Sequence, residues 1–249
     1  MKLGVFDSGV GGLTVARALQ QSGYFSELLY YGDTARVPYG NKDKSTVTRY
    51  ALEAVEFFNG AAVEGVVVAC NTVSVTALAT MQEYSNKPVY GVVEPGVLAL
   101  QQLPHVTQDT PILIIATRST IQSGVYQQRL AELGYGSVQA LATPMLVPIV
   151  EEALYSGPVL EAALHHYFAG LPRPEVVVLG CTHFPLIATP IAEYFGGART
   201  IHSGEAMVRW LQQQLQLEQR YERTPIHILA SENVAAVRHT AVHWGLTDL

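Results

Sequence analysis

The chain has 249 residues, 49% of them hydrophobic and 14% charged, with a net charge of −6. That is long enough for one large or two small domains, and the apolar content excludes intrinsic disorder. The acidic balance argues against nucleic acid or an anionic membrane as the main partner, since both need a basic face.

In chain order, the first element is a short apolar strand over Lys2–Phe6, with no longer apolar leader before it. No stretch reaches the length of a membrane span, and two cysteines do not make a disulfide framework. The expected compartment is therefore the cytoplasm, where thiols stay reduced. The turn Asp7-Ser8-Gly9-Val10-Gly11-Gly12 leads into a helix over Leu13–Ser22. Amides at such a helix start can receive a carboxylate or phosphate. A dinucleotide fingerprint is not matched, because Thr14 stands at its last glycine position. A strand at Leu28–Gly32 precedes Asp33-Thr34-Ala35-Arg36 and Pro38-Tyr39-Gly40, either a surface turn or a loop over a ligand. A helix over Lys44–Asn59 follows, then the β-branched strand Gly65–Ala69, which delivers Cys70, Asn71 and Thr72, and a helix over Ser74–Tyr84. Pro88–Val93 reads as the next strand.

The second half repeats this order with strands at Pro111–Ala116, Val138–Leu141, Glu175–Gly180 and Arg199–His202. Helices are expected over Thr120–Leu133, Leu160–Phe168 and Ala206–Gln216, and a final strand and helix over Ile226–Ala230 and Val234–Trp244. Val5–Gly9 corresponds to Ile115–Ser119, Cys70 to Cys181, and Val92–Pro95 to Thr200–Ser203, each about 110 residues apart. Alternating strands and helices point to an α/β fold of two pseudo-symmetric α/β domains with mainly parallel sheets. The first lobe is expected over 1–97 plus 206–249 and the second over 98–205. Interdomain clefts are favoured ligand sites, and ligands lie beyond the carboxyl ends of parallel strands. Cys70 and Cys181 would then face each other across one cleft.

Two matched thiols suit a site with one acid/base group on each side of a substrate. Either cysteine alone would read as a small core hydrophobe; the pair, each followed by polar residues, favours chemistry. Zinc needs further ligands at the right spacing, which the chain lacks. His183 follows Cys181 closely enough to act on its thiol or to be a hydrogen-bonded structural histidine. Thr72 could cap a helix. Glu151 and Glu152 follow a turn expected at Pro148 and read either as helix-cap acids or as tuning groups for a catalytic residue. Lys2, Lys42, Lys44 and Lys87 are the only lysines, none at a core-strand end, which argues against Schiff-base chemistry.

Taken together, Phe6-Asp7-Ser8-Gly9-Val10-Gly11-Gly12, Asp33-Thr34-Ala35-Arg36, Pro38-Tyr39-Gly40, Ala69-Cys70-Asn71-Thr72, Glu94-Pro95-Gly96 and Gly180-Cys181-Thr182-His183-Phe184-Pro185-Leu186 resemble the cofactor-independent aspartate/glutamate racemase superfamily, and within it the glutamate racemases. The resemblance covers nearly the whole chain. It implies a two-base reaction without cofactor or metal, supplying D-glutamate for peptidoglycan. Cys70 would abstract the α-proton of D-glutamate and Cys181 that of L-glutamate. It further implies support of Cys70 by Asp7 and of Cys181 by His183, an acidic site position at Glu151, and a homodimer. The glutamate-binding set implied is Asp7, Ser8, Pro38, Tyr39, Gly40, Asn71, Thr72, Thr117, Thr120, Thr182 and His183. Two positions depart from the pattern: His202 precedes Ser203 where the superfamily often has Asp, and Ala116 precedes Thr117 where it often has Gly. The first strand begins at once, so independence from a muramyl precursor activator is expected. Alternatives from the residues are an aspartate or hydantoin racemase, a non-catalytic two-lobed binding protein for an acidic metabolite, and a cysteine hydrolase.

Overall fold

The computed structural model describes residues 1–249. Nine strands form two sheets: β1 (Lys2–Asp7), β2 (Glu27–Gly32), β3 (Gly65–Val68), β4 (Val89–Gly91), β5 (Ile112–Ala116), β6 (Val138–Ala142), β7 (Val176–Gly180), β8 (Arg199–His202) and β9 (Ile226–Ala230). The first sheet runs β4-β3-β1-β2-β9 and the second β6-β5-β7-β8. Every pairing is parallel. Leaving β9 aside, the two sheets repeat one strand order. In each, the chain leaves its first strand to one side and returns on the other, which opens a crevice at the carboxyl ends. The switch lies between β1 and β3 in one sheet and between β5 and β7 in the other. Asp7 ends β1, Cys70 follows β3, Thr117 follows β5 and Cys181 follows β7.

β1, β3, β5 and β7 are buried along almost their whole length, as strands covered on both faces must be. One core of 37 residues runs from the first sheet (Leu3, Val5, Leu28, Tyr30) to the second (Leu113, Ile115, Val177, Leu179). The outer face of the first sheet packs Phe6, Val66 and Val68 against helix Lys44–Gly60, and that of the second packs Ile112, Ile114 and Val178 around Tyr126 and Leu130.

The elements differ from the expectations where short-range chemistry interrupts a longer pattern. The helix expected over Ser74–Tyr84 starts at Asn71 and breaks at Ala77 into Asn71–Thr76 and Leu78–Tyr84. That expected over Thr120–Leu133 divides into Arg118–Gln122 and Val125–Glu132 at Gly124, which has φ +70°. The strand expected to reach Val93 ends at Gly91, and Val93–Leu98 is a helix with Pro95 in its first turn, where a missing N–H costs nothing. Pro148 plays the same part in helix Leu146–Glu151, so Glu151 ends a helix and does not follow a turn.

Candidate active site

Cys70 caps helix Asn71–Thr76 and is 6% exposed. Its Sγ lies 3.3 Å from Ser8 Oγ. Burial, reinforced by the charge of Asp7, pushes the thiol up to about 12, against smaller opposing pulls from the Ser8 hydroxyl and the Val73 N–H. Asp7 is itself buried. Its Oδ1 accepts the Gly9 N–H at 2.9 Å, while Oδ2 has no hydrogen-bond partner. Burial raises its pKa, and the cation at His183 and the amides of Gly9 and Gly12 pull it back. The Gly9 amide of the glycine turn thus serves the carboxylate of Asp7.

Cys181 is equally buried, and its Sγ lies 3.7 Å from His183 Nδ1. The far nitrogen, Nε2, lies 2.9 Å from Glu151 Oε1. Burial alone would lower the pKa of His183. The hydrogen bonds and charges of Cys181 and Glu151 outweigh it and push the imidazole up to about 10. At neutral pH the ring is a cation donating from both nitrogens, the only state in which both can donate. Trp244 packs its indole edgewise on this imidazole at 6.2 Å between centroids.

The lobes touch directly beneath the thiols. A Cβ on Gly11 would stand 2.2 Å from Thr182 Oγ1 and 2.5 Å from His183 Cε1. Thr14 Oγ1 donates to the Thr182 carbonyl at 2.7 Å. On the other flank Ser119 Oγ donates to the Gly40 carbonyl at 2.8 Å, and a Cβ on Gly40 would be 2.7 Å from Thr117 Cβ. The Pro38–Gly40 loop, entered through a cis Val37–Pro38 bond, is anchored from behind. Tyr39 donates its hydroxyl to Asp33 Oδ2, and Asp33 also receives Arg36 Nε at 2.6 Å and Ser231 Oγ at 2.8 Å.

Between these walls lies a cavity of about 380 Å³. Both thiols line it, with Ser8, Asn71, Thr72, Thr117, Thr182, His183 and Glu151 as the polar groups singled out in the sequence, and with Pro38, Tyr39 and Gly40 along the loop. Asp7 and Thr120 do not line it. Thr120 is fully buried behind the wall, where its hydroxyl lies 3.0 Å from Thr117 Oγ1 and 3.4 Å from Thr72 Oγ1. Gly9 and Gly180 also line it, and Val37, Asn41, Pro144, Val147 and Pro148, which were not singled out from the sequence, complete the lining. Val147 and Pro148 come from helix Leu146–Glu151 and the other three from the segments before a helix or around the Pro38–Gly40 loop, and their approach to the cleft leaves no periodic signal. No lysine or arginine lines the cavity, so neutral donors and the His183 cation are what it offers an anion.

Two parallel α/β lobes, with a thiol at each switch point and both thiols lining one small cavity, define the class of fold and site. The sequence profile of the Asp/Glu/Hydantoin racemase family matches residues 14–211. The chain is 51% identical to a glutamate racemase of Nitratiruptor sp. over 98% of its own length and 96% of the relative's. Among solved structures, glutamate racemase from Campylobacter jejuni subsp. jejuni superposes with a TM-score of 0.96 at 43% identity, covering 98% of each chain. Glutamate racemase from Francisella tularensis in complex with D-glutamate superposes with a TM-score of 0.85 at 26% identity, covering 98% of this chain and 92% of that one. This chain belongs to the Asp/Glu/hydantoin racemase family and is an isomerase of that family's kind.

Proposed function

We propose that the protein is a glutamate racemase that inverts the α-carbon with Cys70 and Cys181 as its two bases. The observation that carries this reading is the pair of buried thiols at corresponding strand ends of two lobes, lining one cavity. The names of the near relatives support glutamate as the substrate.

Cys70 holds its proton in the free protein, because burial and Asp7 oppose its ionisation. His183 Nδ1 stands 3.7 Å from the Cys181 sulfur. In the direction from L-glutamate, Cys181 acts as the thiolate: it takes the α-proton and becomes a thiol. The Cys70 thiol delivers its proton to the opposite face and becomes a thiolate, and D-glutamate results. The D-enantiomer reacts by the reverse sequence, which restores the starting state, as does proton exchange with solvent. The α-proton is weakly acidic, so the carboxylate-bound charge must be stabilised by fixed donors in a site closed to water. Ser8, Asn71, Thr72, Thr117 and Thr182 are the donors available in the cavity wall. Asp7 and Thr120 act from behind it, Asp7 on Cys70 and Thr120 through Thr117 and Thr72.

The test is loss of optical rotation of L-glutamate in D2O with the pure protein and no added cofactor, followed by NMR of the α-position. Rotation should vanish and deuterium enter the product. Cys70→Ser and Cys181→Ser should each abolish racemisation with the fold intact; near-normal turnover in either variant overturns the two-thiol reaction. Exchange with aspartate but not glutamate overturns the substrate assignment. The same reading includes lobes divided as 1–97 plus 206–249 and 98–205, a cytoplasmic homodimer, and supply of D-glutamate to peptidoglycan. Analytical sedimentation tests the dimer, and rescue of a D-glutamate auxotroph tests the cellular role.

A further inference from the structure

Asn71 is buried, lines the cavity, and has its carboxamide gripped by two groups from elsewhere in the chain. Tyr126, on helix Val125–Glu132 of the second lobe, donates its hydroxyl to Asn71 Oδ1 at 2.6 Å. Asn71 Nδ2 in turn faces Ser203 Oγ at 3.4 Å, at the start of helix Ser203–Leu215. Tyr126 is 1% exposed, and its ring sits beside Gly180, the residue before Cys181. Burial holds the phenol far above neutrality against a smaller pull from the Ser203 hydroxyl. Tyr126 therefore keeps its proton and donates it.

A carboxamide can turn over and exchange its oxygen for its nitrogen. With Oδ1 taken by the phenol and one Nδ2 hydrogen directed to Ser203, the second Nδ2 hydrogen is the group left for the cavity. A donor there attracts a carboxylate; a turned-over amide would present a carbonyl oxygen and repel it. We infer that Tyr126 is a positioning residue: its hydroxyl fixes the Asn71 carboxamide so that an N–H, and not the carbonyl, meets the substrate carboxylate. This deepens the glutamate racemase reading and rests on it for the identity of the ligand. The three groups lie on separate stretches of chain, so neighbouring residues in the sequence give no sign of the arrangement.

The experiment compares the wild type with Tyr126→Phe, which keeps the ring and removes only the hydroxyl, and with Ser203→Ala, which opens the same arrangement from its other side. The KM for L-glutamate should rise about tenfold in Tyr126→Phe with kcat changed less than about threefold, since the lost interaction is made in ground and transition states alike. In ligand-free 15N-labelled protein, the two Asn71 side-chain amide protons, assigned by their absence in Asn71→Ser, should be resolved and protected from exchange in the wild type. They should lose that protection in Tyr126→Phe, and in part in Ser203→Ala. Unchanged protection in both variants overturns the inference, as does an equal fall of kcat and kcat/KM with KM unmoved. The amide readout needs no substrate. If the wild type fails to turn over glutamate while Tyr126→Phe still frees the amide, the substrate assignment has failed and the positioning role stands. Should Tyr126→Phe not fold, Ser203→Ala and its amide protection decide.

Discussion

Replacing Gly11 by alanine puts a methyl group into space already filled from the opposite lobe. The added carbon would stand 2.2 Å from Thr182 Oγ1, 2.5 Å from His183 Cε1 and 2.6 Å from His183 Nδ1, where ordinary contact begins near 3.4 Å. Thr182 can turn its hydroxyl aside. The imidazole cannot, because Cys181 and Glu151 hold its two nitrogens. His183 must then retreat by 3.4 − 2.5 = 0.9 Å. Overpacking of this size costs about 1–3 kcal/mol, and displacement of a positioned group by about 1 Å can lower turnover about a hundredfold. Racemisation followed by circular dichroism, beside a thermal melt, measures both effects. The expected result is a folded protein with a lowered melting temperature and turnover down about a hundredfold. Turnover within threefold of the wild type, with the histidine resonances unmoved, would refute the view that this seam sets the position of His183.

The remaining predictions concern charge. His183 is held protonated up to about 10, against 6.5 when unperturbed. A group whose pKa is raised on folding contributes its full stability below the unfolded value and loses it as pH rises through the folded one. The melting temperature should therefore fall between pH 7 and about pH 10, and His183→Gln should flatten that fall; an equal slope in the variant counts against the assignment. Glu151→Gln keeps a hydrogen-bond acceptor and removes the charge. Because Glu151 is 43% exposed, the histidine titration read by NMR should drop by only about one pH unit, or ~1.4 kcal/mol, and no drop at all would show that the carboxylate charge is screened out. Asp7 has an unpartnered buried oxygen and a pKa raised chiefly by burial. Asp7→Asn should raise the melting temperature at neutral pH by about 2–4 °C, roughly 1 kcal/mol, while slowing turnover; a less stable variant would mean the carboxylate is better satisfied than the structure indicates.

The strands carrying the two thiols were readable because a fully buried parallel strand is a run of β-branched residues, and Gly65–Val68 and Val176–Gly180 are such runs. The repeat of the motif about 110 residues on was enough to expect two lobes and a cleft, and the two sheets repeat one strand order. Pro148 looks like a turn in a linear pattern, yet it sits in the first turn of a short helix, as Pro95 does in another, and the helix of Pro148 carries Glu151 to His183. Asp7 and Thr120 were expected against the ligand and stand behind the cavity wall, a distinction that depends on side-chain depth, which spacing does not carry. The hold of Tyr126 on Asn71, the edge of Trp244 on His183, and the burial of Gly11 under Thr182 all join residues far apart in sequence. They become visible only when the lobes are docked.

β9 lies at the edge of the first sheet, beside β2, with alternate residues facing solvent. From β2, Tyr30 donates its hydroxyl to the Gly9 carbonyl at 2.7 Å, and Ser231, just past β9, holds Asp33. Without residues 226–230 the hydrogen-bonding groups of β2 would be bare, an open template for another chain. The second sheet assembles from an uninterrupted stretch of chain, whereas the first closes only when residues 226–230 arrive. During synthesis the first sheet therefore stays open-edged until residues 226–230 have left the ribosome, and this interval is when a chaperone or a neighbouring nascent chain can reach it.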